Sequence, residues 1–364
     1  MGNPSVATQH RVAGIEVARG IAAVFVILLH VSHHIDQAYG TPLLLSAFRF
    51  GHAGVDLFFV ISGFIILYVH YDDIGNPKQV PRYMRRRLTR ILPTYWVAFA
   101  LTFPMALLGT HALPPATDLA WSAFLLPSDR PMLVGIAWTL RFEMLFYAMF
   151  CFVILSRKGF ALLALWGGLC AFCVATGTRI SFLPDQFQSG FALQFFFGMA
   201  VAFLAKERVV RNPSFVLAAG VLLFACAALL ENMQVFDGHA NFGRFAYGVP
   251  ASLIILGIAT RRIAARSRLA QVMLVVGGAS YSIYIFQFIF IGPVWQLLLR
   301  SGVASSTTPV EQFLILSSAA ILGGVLISRL VEQPLIRLSR ALITWNKRKP
   351  LTQQYAPAAV DVKT

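Results

Sequence analysis

The chain has 364 residues, 57% hydrophobic and 12% charged, with a mean hydropathy of +0.70. Soluble domains carry about 25% charged residues, so a soluble enzyme is excluded and an integral membrane protein is expected. The net charge of +15 would suit a nucleic-acid binder, but the basic residues cluster in the connections between apolar runs, where membrane topology accounts for them.

Ten apolar runs, at 13–35, 54–71, 91–109, 135–155, 160–178, 190–205, 214–231, 245–260, 272–298 and 312–330, predict ten transmembrane helices. A β-barrel would instead alternate over segments of about 10 residues. The expected fold class is all-α, a polytopic integral membrane bundle. No cleavable signal peptide is expected, because the first run has no small-residue cleavage site and contains charge. Ten spans place both termini on one side. Of the 30 Lys and Arg, 24 fall on that side, five on the other (Arg49, Arg130, Arg179, Arg244, Arg300), and Arg141 lies within span four. The excess puts both termini in the cytoplasm. Residues 1–338 read as one transmembrane domain and 339–364 as a basic, disordered cytoplasmic tail. Cys151, Cys170, Cys173 and Cys226 all lie in apolar runs and read as packed free thiols.

Span one carries Glu16, Arg19, His30, His33 and His34. Arg19 and His30 are eleven residues apart, which on a helix places them on one face about 16 Å apart along the axis. Ionisable groups on one stripe of a membrane helix default to a functional hypothesis; the bland alternative has Arg19 snorkelling to one surface and His30 lying in the opposite interface. His30 and His34 have i, i+4 spacing, but no Glu-bearing zinc signature accompanies them and no metal is expected. The segment 41–50 is apolar but too short to cross, and is expected on or re-entering the outer surface.

Span two carries Asp56, expected at the membrane level of His30 and available to orient its imidazole; the alternative is a helix cap. Ser62-Gly63 reads as a close helix-packing point. The loop before span three holds Arg82, Arg85, Arg86, Arg87 and Arg90. Arg87 and Arg90 share a helix face and with Arg19 could form a cationic mouth suited to phosphate, or bind anionic headgroups. In the connection 110–134 a short interfacial helix is expected, capped at Thr117 and stopped by Pro127. Span four places Arg141 and Glu143 in the membrane, two apart and so not facing each other; Glu143 and Tyr147 share a face. Span nine carries Ser280, Tyr281, Tyr284 and Gln287, and span ten exits through Glu332 and Pro334, read as a partner for a basic loop and a helix terminator.

Taken together, E-V-A-R-G-I-A-A-V-F-V-I-L-L-H, G-V-D-L-F-F-V-I-S-G-F, the Arg87/Arg90 pair leading into I-L-P-T-Y-W, W-T-L-R-F-E-M-L-F-Y, S-Y-S-I-Y and E-Q-P resemble, in order, the membrane acyltransferase 3 family of bacterial carbohydrate O-acyltransferases. The short form resembles its exopolysaccharide O-acetyltransferase branch. The resemblance implies a bacterial inner-membrane enzyme that moves an acyl group, usually acetyl, from cytoplasmic acyl-CoA to a hydroxyl of a lipid-linked or exported glycan such as exopolysaccharide or lipopolysaccharide, beside membrane lipid and glycan assembly machinery. It makes His30 the essential histidine and Arg19 the essential arginine, with Arg87 and Arg90 the cytoplasmic arginine pair. Gln287 stands where members often have His, and Glu16 where many have Asp.

The expected mechanism has Arg19, Arg87 and Arg90 holding the CoA phosphates. His30, oriented by Asp56 or Glu143, deprotonates the acceptor for direct attack, with an acyl-histidine relay as the variant. The rival reading is a polytopic transporter or flippase-like export component without acyl chemistry; the inverted halves that would support it are not seen.

Overall fold

The computed structural model describes residues 6–40, 44–108, 113–261 and 267–345, and among them it is all helical. The elements are α1 (Val6–Tyr39), α2 (Leu45–Phe48), α3 (Ala53–His70), α4 (Val80–Leu108), α5 (Ala116–Ala123), α6 (Trp138–Leu155), α7 (Gly159–Thr176), α8 (Gly190–Lys206), α9 (Pro213–Asn232), α10 (Asn241–Thr260), α11 (Arg268–Gly278), α12 (Ser280–Arg300), α13 (Val303–Ser306), α14 (Pro309–Ile327) and α15 (Gln333–Trp345). Ten helices among the described residues are long and apolar enough to cross a membrane, and they coincide with the ten expected runs. The chain is a multi-pass membrane protein. Many large apolar side chains, such as Leu165, Phe215 and Leu322, point outward, as a lipid-facing surface requires.

α3 is the most enclosed span and packs against α8, α1 and α10. Its contact with α8 is close because Gly63 and Gly198 lack side chains: a Cβ on Gly63 would collide with the Phe195 carbonyl, and one on Gly198 with the Val60 carbonyl. Helices in lipid gain association energy from such packing rather than from a hydrophobic drive. The expectation for Ser62-Gly63 holds for the glycine, while Ser62 turns toward a polar cleft.

Several boundaries differ from the sequence reading, each for a physical reason. The arginine loop is helical: α4 starts at Val80, eleven residues before the expected span. Charge marks where a helix leaves the membrane, not where it ends, and Arg and Leu are good helix formers. The expected ninth span is two helices, α11 and α12, broken at Ala279, where Gly277 presses on the Glu16 carbonyl of α1. The short helix α5 is preceded by Pro115 and has no side-chain cap, so Thr117 lies inside it rather than capping it. Pro334 does not end a helix. A π-helical turn over Ser328–Glu332 precedes it, and α15 continues past residue 338. Such a wide turn tolerates the amide that proline lacks. Residues 346–364, most of the expected tail, lie outside the described residues, as does 41–43 of the short outer segment. All four cysteines are free, and Cys226 is exposed on α9 rather than packed.

The bundle has two chemically distinct ends. The basic end carries the start of α4, the 206–212 connection, the end of α10 and the start of α11. The far end carries residues 44–52 and the 113–134, 177–189 and 233–240 connections.

Candidate active site

Arg19 of α1, Arg87 and Arg90 of α4, and Glu143 and Tyr147 of α6 line one narrow cleft of about 90 Å³ that opens within the basic half of the bundle. The sequence placed these groups on three separate spans, and the fold brings them together. The guanidiniums of Arg19 and Arg90 neither ion-pair with nor donate a hydrogen bond to any described residue. Arg87 is buried and its Nη2 donates to His70 Nε2 at 2.7 Å, while its Nε has no partner. The Tyr83 and Tyr147 rings lie 5.8 and 5.7 Å from its guanidinium carbon. His70 Nδ1 is in turn 2.7 Å from Asp73 Oδ2. Arginine can only donate, so His70 must accept at Nε2 and carry its proton on Nδ1, which then donates to Asp73. This Asp73–His70–Arg87 chain aims the guanidinium without neutralising it by direct contact.

Glu143 is held within the same cleft, accepting from Ser62 Oγ at 3.2 Å and from the Tyr147 hydroxyl. Arg141, two residues earlier, faces the other way as the spacing requires. Its Nη1 donates to the Ser128 and Arg130 carbonyls at 2.7 and 2.8 Å, tying α6 to the far-end connection. Glu332 does not meet a basic loop by hydrogen bond; it accepts from Ser282 and Ser328 at 2.7 and 2.8 Å.

His30 lies in a different cavity, of about 440 Å³, at the far end, lined also by His33, Arg49, Phe236, Asp237 and His239. Its Nδ1 is 2.9 Å from Gln287 Oε1. Gln287 Nε2 donates to the Tyr284 carbonyl at 2.8 Å, which fixes the amide orientation and makes Oε1 the acceptor. The His30 proton therefore sits on Nδ1, and Nε2 keeps its lone pair. The two cavities approach each other along α12. Tyr284 lines the cleft with its ring 6.0 Å from that of Phe58, and Gln287, one turn on, holds His30. His33 and His34 do not join His30: His33 pairs with Gln37, and His34 packs edge-on against Trp295.

The expected orientation of His30 by Asp56 or Glu143 is not what the structure has. Asp56 is fully buried and clamped by Arg244 Nη1 at 2.9 and 2.8 Å, with Gln194 Nε2 donating at 3.0 Å. A carboxylate with no exposure in a membrane bundle needs a cation, and the Arg244 guanidinium of α10, whose Nη1 reaches both oxygens, satisfies it better than a neutral imidazole. Glu143 belongs to the basic-end cleft. The orienting group on His30 is the neutral Gln287. Arg244, on sequence alone a far-side topological charge, is the buried partner of Asp56. Its burial depends on α10 packing on α3 and α8, which no local pattern announces.

Residues 12–329 match the Acyl_transf_3 family model, described as an acyltransferase domain. The chain is 31% identical over 314 residues to the exopolysaccharide production protein ExoZ of Rhizobium meliloti (strain 1021), covering 81% of this chain and 92% of that protein. It is 26% identical over 382 residues to the acyltransferase MdmB of Streptomyces mycarofaciens, covering 93% of this chain and 94% of that one. No solved structure matches. A family match across nearly the whole bundle, on a helical scaffold with its ionisable groups gathered into two internal cavities, establishes that the chain belongs to the acyltransferase 3 family and is an O-acyltransferase.

Proposed function

We propose that the protein transfers an acyl group, acetyl in the first instance, from acyl-CoA to a hydroxyl of an exported or lipid-linked glycan. The observation that carries this reading is the basic-end cleft. Three guanidiniums meet there with no carboxylate hydrogen-bonded to any of them, about eleven residues of helix from a histidine whose Nε2 is bare. Three guanidiniums beside one cleft carboxylate, Glu143, and in direct contact with none leave room for an anion, and their forks suit the phosphates of CoA. The narrow cleft suits the slim pantetheine arm, whose extended length is comparable with the about 16 Å between Arg19 and His30 along α1. The name of the ExoZ relative, an exopolysaccharide production protein, supports a glycan acceptor.

In this mechanism Arg19, Arg87 and Arg90 hold the CoA phosphates at the basic end, which the positive-inside rule assigns to the cytoplasm together with both termini. The membrane is then the bacterial inner membrane, and residues 339–364 form a cytoplasmic tail. The thioester passes between Phe58 and Tyr284 toward His30. Gln287 holds the imidazole with its proton on Nδ1, so Nε2 takes the proton of the acceptor hydroxyl entering from the far-end cavity. The acceptor oxygen bonds to the acyl carbon, the carbon–sulfur bond breaks, and the proton passes to the departing CoA thiolate. Asp56 acts through the Arg244 clamp that holds α3, α8 and α10 in register, and Glu143 shapes the donor cleft.

The test is acetyl-CoA turnover by purified protein, read as free CoA thiol, together with mass spectrometry of surface and exported glycans from cells with and without the gene. Thiol release and an acetyl increment on a glycan, both lost in His30→Ala, are expected. Normal transfer by His30→Ala would overturn the assignment of the base. No acyl-CoA binding or turnover would return the transporter reading.

A further inference from the structure

Beyond the donor cleft and His30, the far end holds a second cluster of ionisable groups that acyl transfer does not use. His52 ends the turn Arg49–His52, Glu231 lies near the end of α9, and His239 sits in the following connection. One ligand atom from each lies within 4.8 Å of the others. His52 Nε2 is 2.8 Å from Glu231 Oε1, and the His52 and His239 rings are 4.3 Å apart. His239 lines the cavity that holds His30.

The ion pairs around this cluster leave one carboxylate without a cation of its own. Asp56 and Arg244 neutralise each other as a bidentate pair. That leaves Glu231, fully buried, with no Lys or Arg ion-paired to it among the described residues. Its other oxygen accepts from the Tyr247 hydroxyl at 2.5 Å. A buried carboxylate facing two imidazoles needs a proton on one of them or a metal ion between them. His239, 64% exposed, supplies the third donor from the rim of the cavity, where an ion can enter.

The surroundings match a metal site as well. Metal-bound histidines usually give their second nitrogen to a carboxylate. His239 has such a carboxylate beside it, with Nδ1 3.5 Å from Asp237 Oδ1. The His239 backbone amide also donates to the same Asp237 oxygen at 2.8 Å. Arg244 Nη2 donates toward His52 Nδ1 at 3.4 Å, which puts the proton of the metal-free ring on Nε2, facing Glu231, so a metal at Nε2 takes the place of that proton.

We propose that His52, Glu231 and His239 bind a divalent transition-metal ion, zinc by the chemistry of two imidazoles and a carboxylate, at the rim of the cavity that contains His30. Tetrahedral zinc–ligand bonds of about 2.0–2.2 Å require the His52–Glu231 pair to open slightly from its hydrogen-bonded 2.8 Å, with exposed His239 adjusting to complete the set. Three protein ligands leave one position open for an oxygen ligand, water or an acceptor hydroxyl. The histidine spacing on α1 pointed away from a metal. These ligands come from three separate elements that only the packing of α9 against α10 and the Arg49–His52 turn gathers.

The test uses the full chain purified in detergent with a tag that contains no histidine, stripped with chelator, reloaded with zinc and dialysed. The expected result is one zinc per chain by elemental analysis, with X-ray absorption showing nitrogen and oxygen ligands. His239→Ala, an exposed position that leaves folding intact, is expected to weaken zinc binding by about a hundredfold or more, while His33→Ala, in the same cavity but outside the cluster, binds as the wild type does. A wild type that retains no stoichiometric zinc, or a His239→Ala that binds it equally well, overturns the site. Neither outcome depends on acyl-CoA turnover.

Discussion

The two ends of this bundle handle buried charge in opposite ways. At the basic end Arg19 and Arg90 have no hydrogen-bond partner among the described residues, and Arg87 has a neutral imidazole. At the far end Arg244 has a bidentate carboxylate, a second donor on that carboxylate in Gln194, and a bond to the Gly238 carbonyl. A charge the protein satisfies by itself is architecture. A charge left unsatisfied inside a membrane bundle is kept for something that arrives. The sequence marks both kinds with the same letter, so motif reading treated Asp56 as chemistry and Arg244 as topology, when the two are one clamp.

The largest effect that bears on this contrast is at His30, which belongs to neither group. His30→Ala is expected to lower kcat by about 10²–10⁴-fold, the usual range for a lost general base, with the protein still folded and acyl-CoA binding retained. Steady-state kinetics with a binding measurement by calorimetry separate these quantities.

Asp56→Asn tests the satisfied end. It leaves the Arg244 guanidinium buried without its counter-ion, and removing one partner of a buried pair costs about 3–5 kcal/mol. Loss of folded, monodisperse protein is expected by thermal unfolding and size-exclusion chromatography. Asp56→Asn combined with Arg244→Met is expected to recover part of that loss. If Asp56→Asn folds normally and lowers kcat alone, Asp56 is chemical after all and the contrast fails.

Arg87→Met and Arg90→Met test the unsatisfied end, where the opposite pattern is expected. Unfolding temperatures should stay at or above that of the wild type, because no ion pair is broken. KM for acyl-CoA should rise about 10- to 100-fold, corresponding to about 1.5–3 kcal/mol for a charge-assisted hydrogen bond. Severe destabilisation in either variant would make these arginines structural.

The smallest expected effect sharpens the picture of Arg87. Protonating His70 would place an N–H against the Arg87 N–H and release the guanidinium. Asp73, Arg86, Arg87 and Tyr83 are the charged and titratable groups around that imidazole. KM for acyl-CoA in the wild type should therefore rise as pH falls. In His70→Gln, whose amide oxygen can accept from Arg87 at every pH, the rise should flatten, with a change of a few-fold or less in KM at neutral pH and none in kcat.

Much of this protein follows from composition and periodicity. Lipid offers no hydrogen-bond partners, so ten apolar runs of spanning length can only be helices, and all ten are. Helical spacing also suffices to separate Arg141 from Glu143 and to align Glu143 with Tyr147, because both relations are local. Even Gln287, noted as a departure from the family, takes the hydrogen-bonding role its amide permits.

What the sequence could not supply is which charges meet. Asp56 and Arg244 are 188 residues apart and Gln287 is 257 from His30. These pairings depend on how α3, α8, α10 and α12 cross, and the crossings depend on small residues such as Gly63 and Gly198 whose partner helix cannot be read along the chain. Apolar runs determine that the helices exist and that charge within them is significant. Only the three-dimensional packing divides that charge into pairs that hold the bundle and groups left open to a ligand, because Coulomb and hydrogen-bond energies in a low-dielectric interior depend on distances of a few ångströms between elements far apart in sequence.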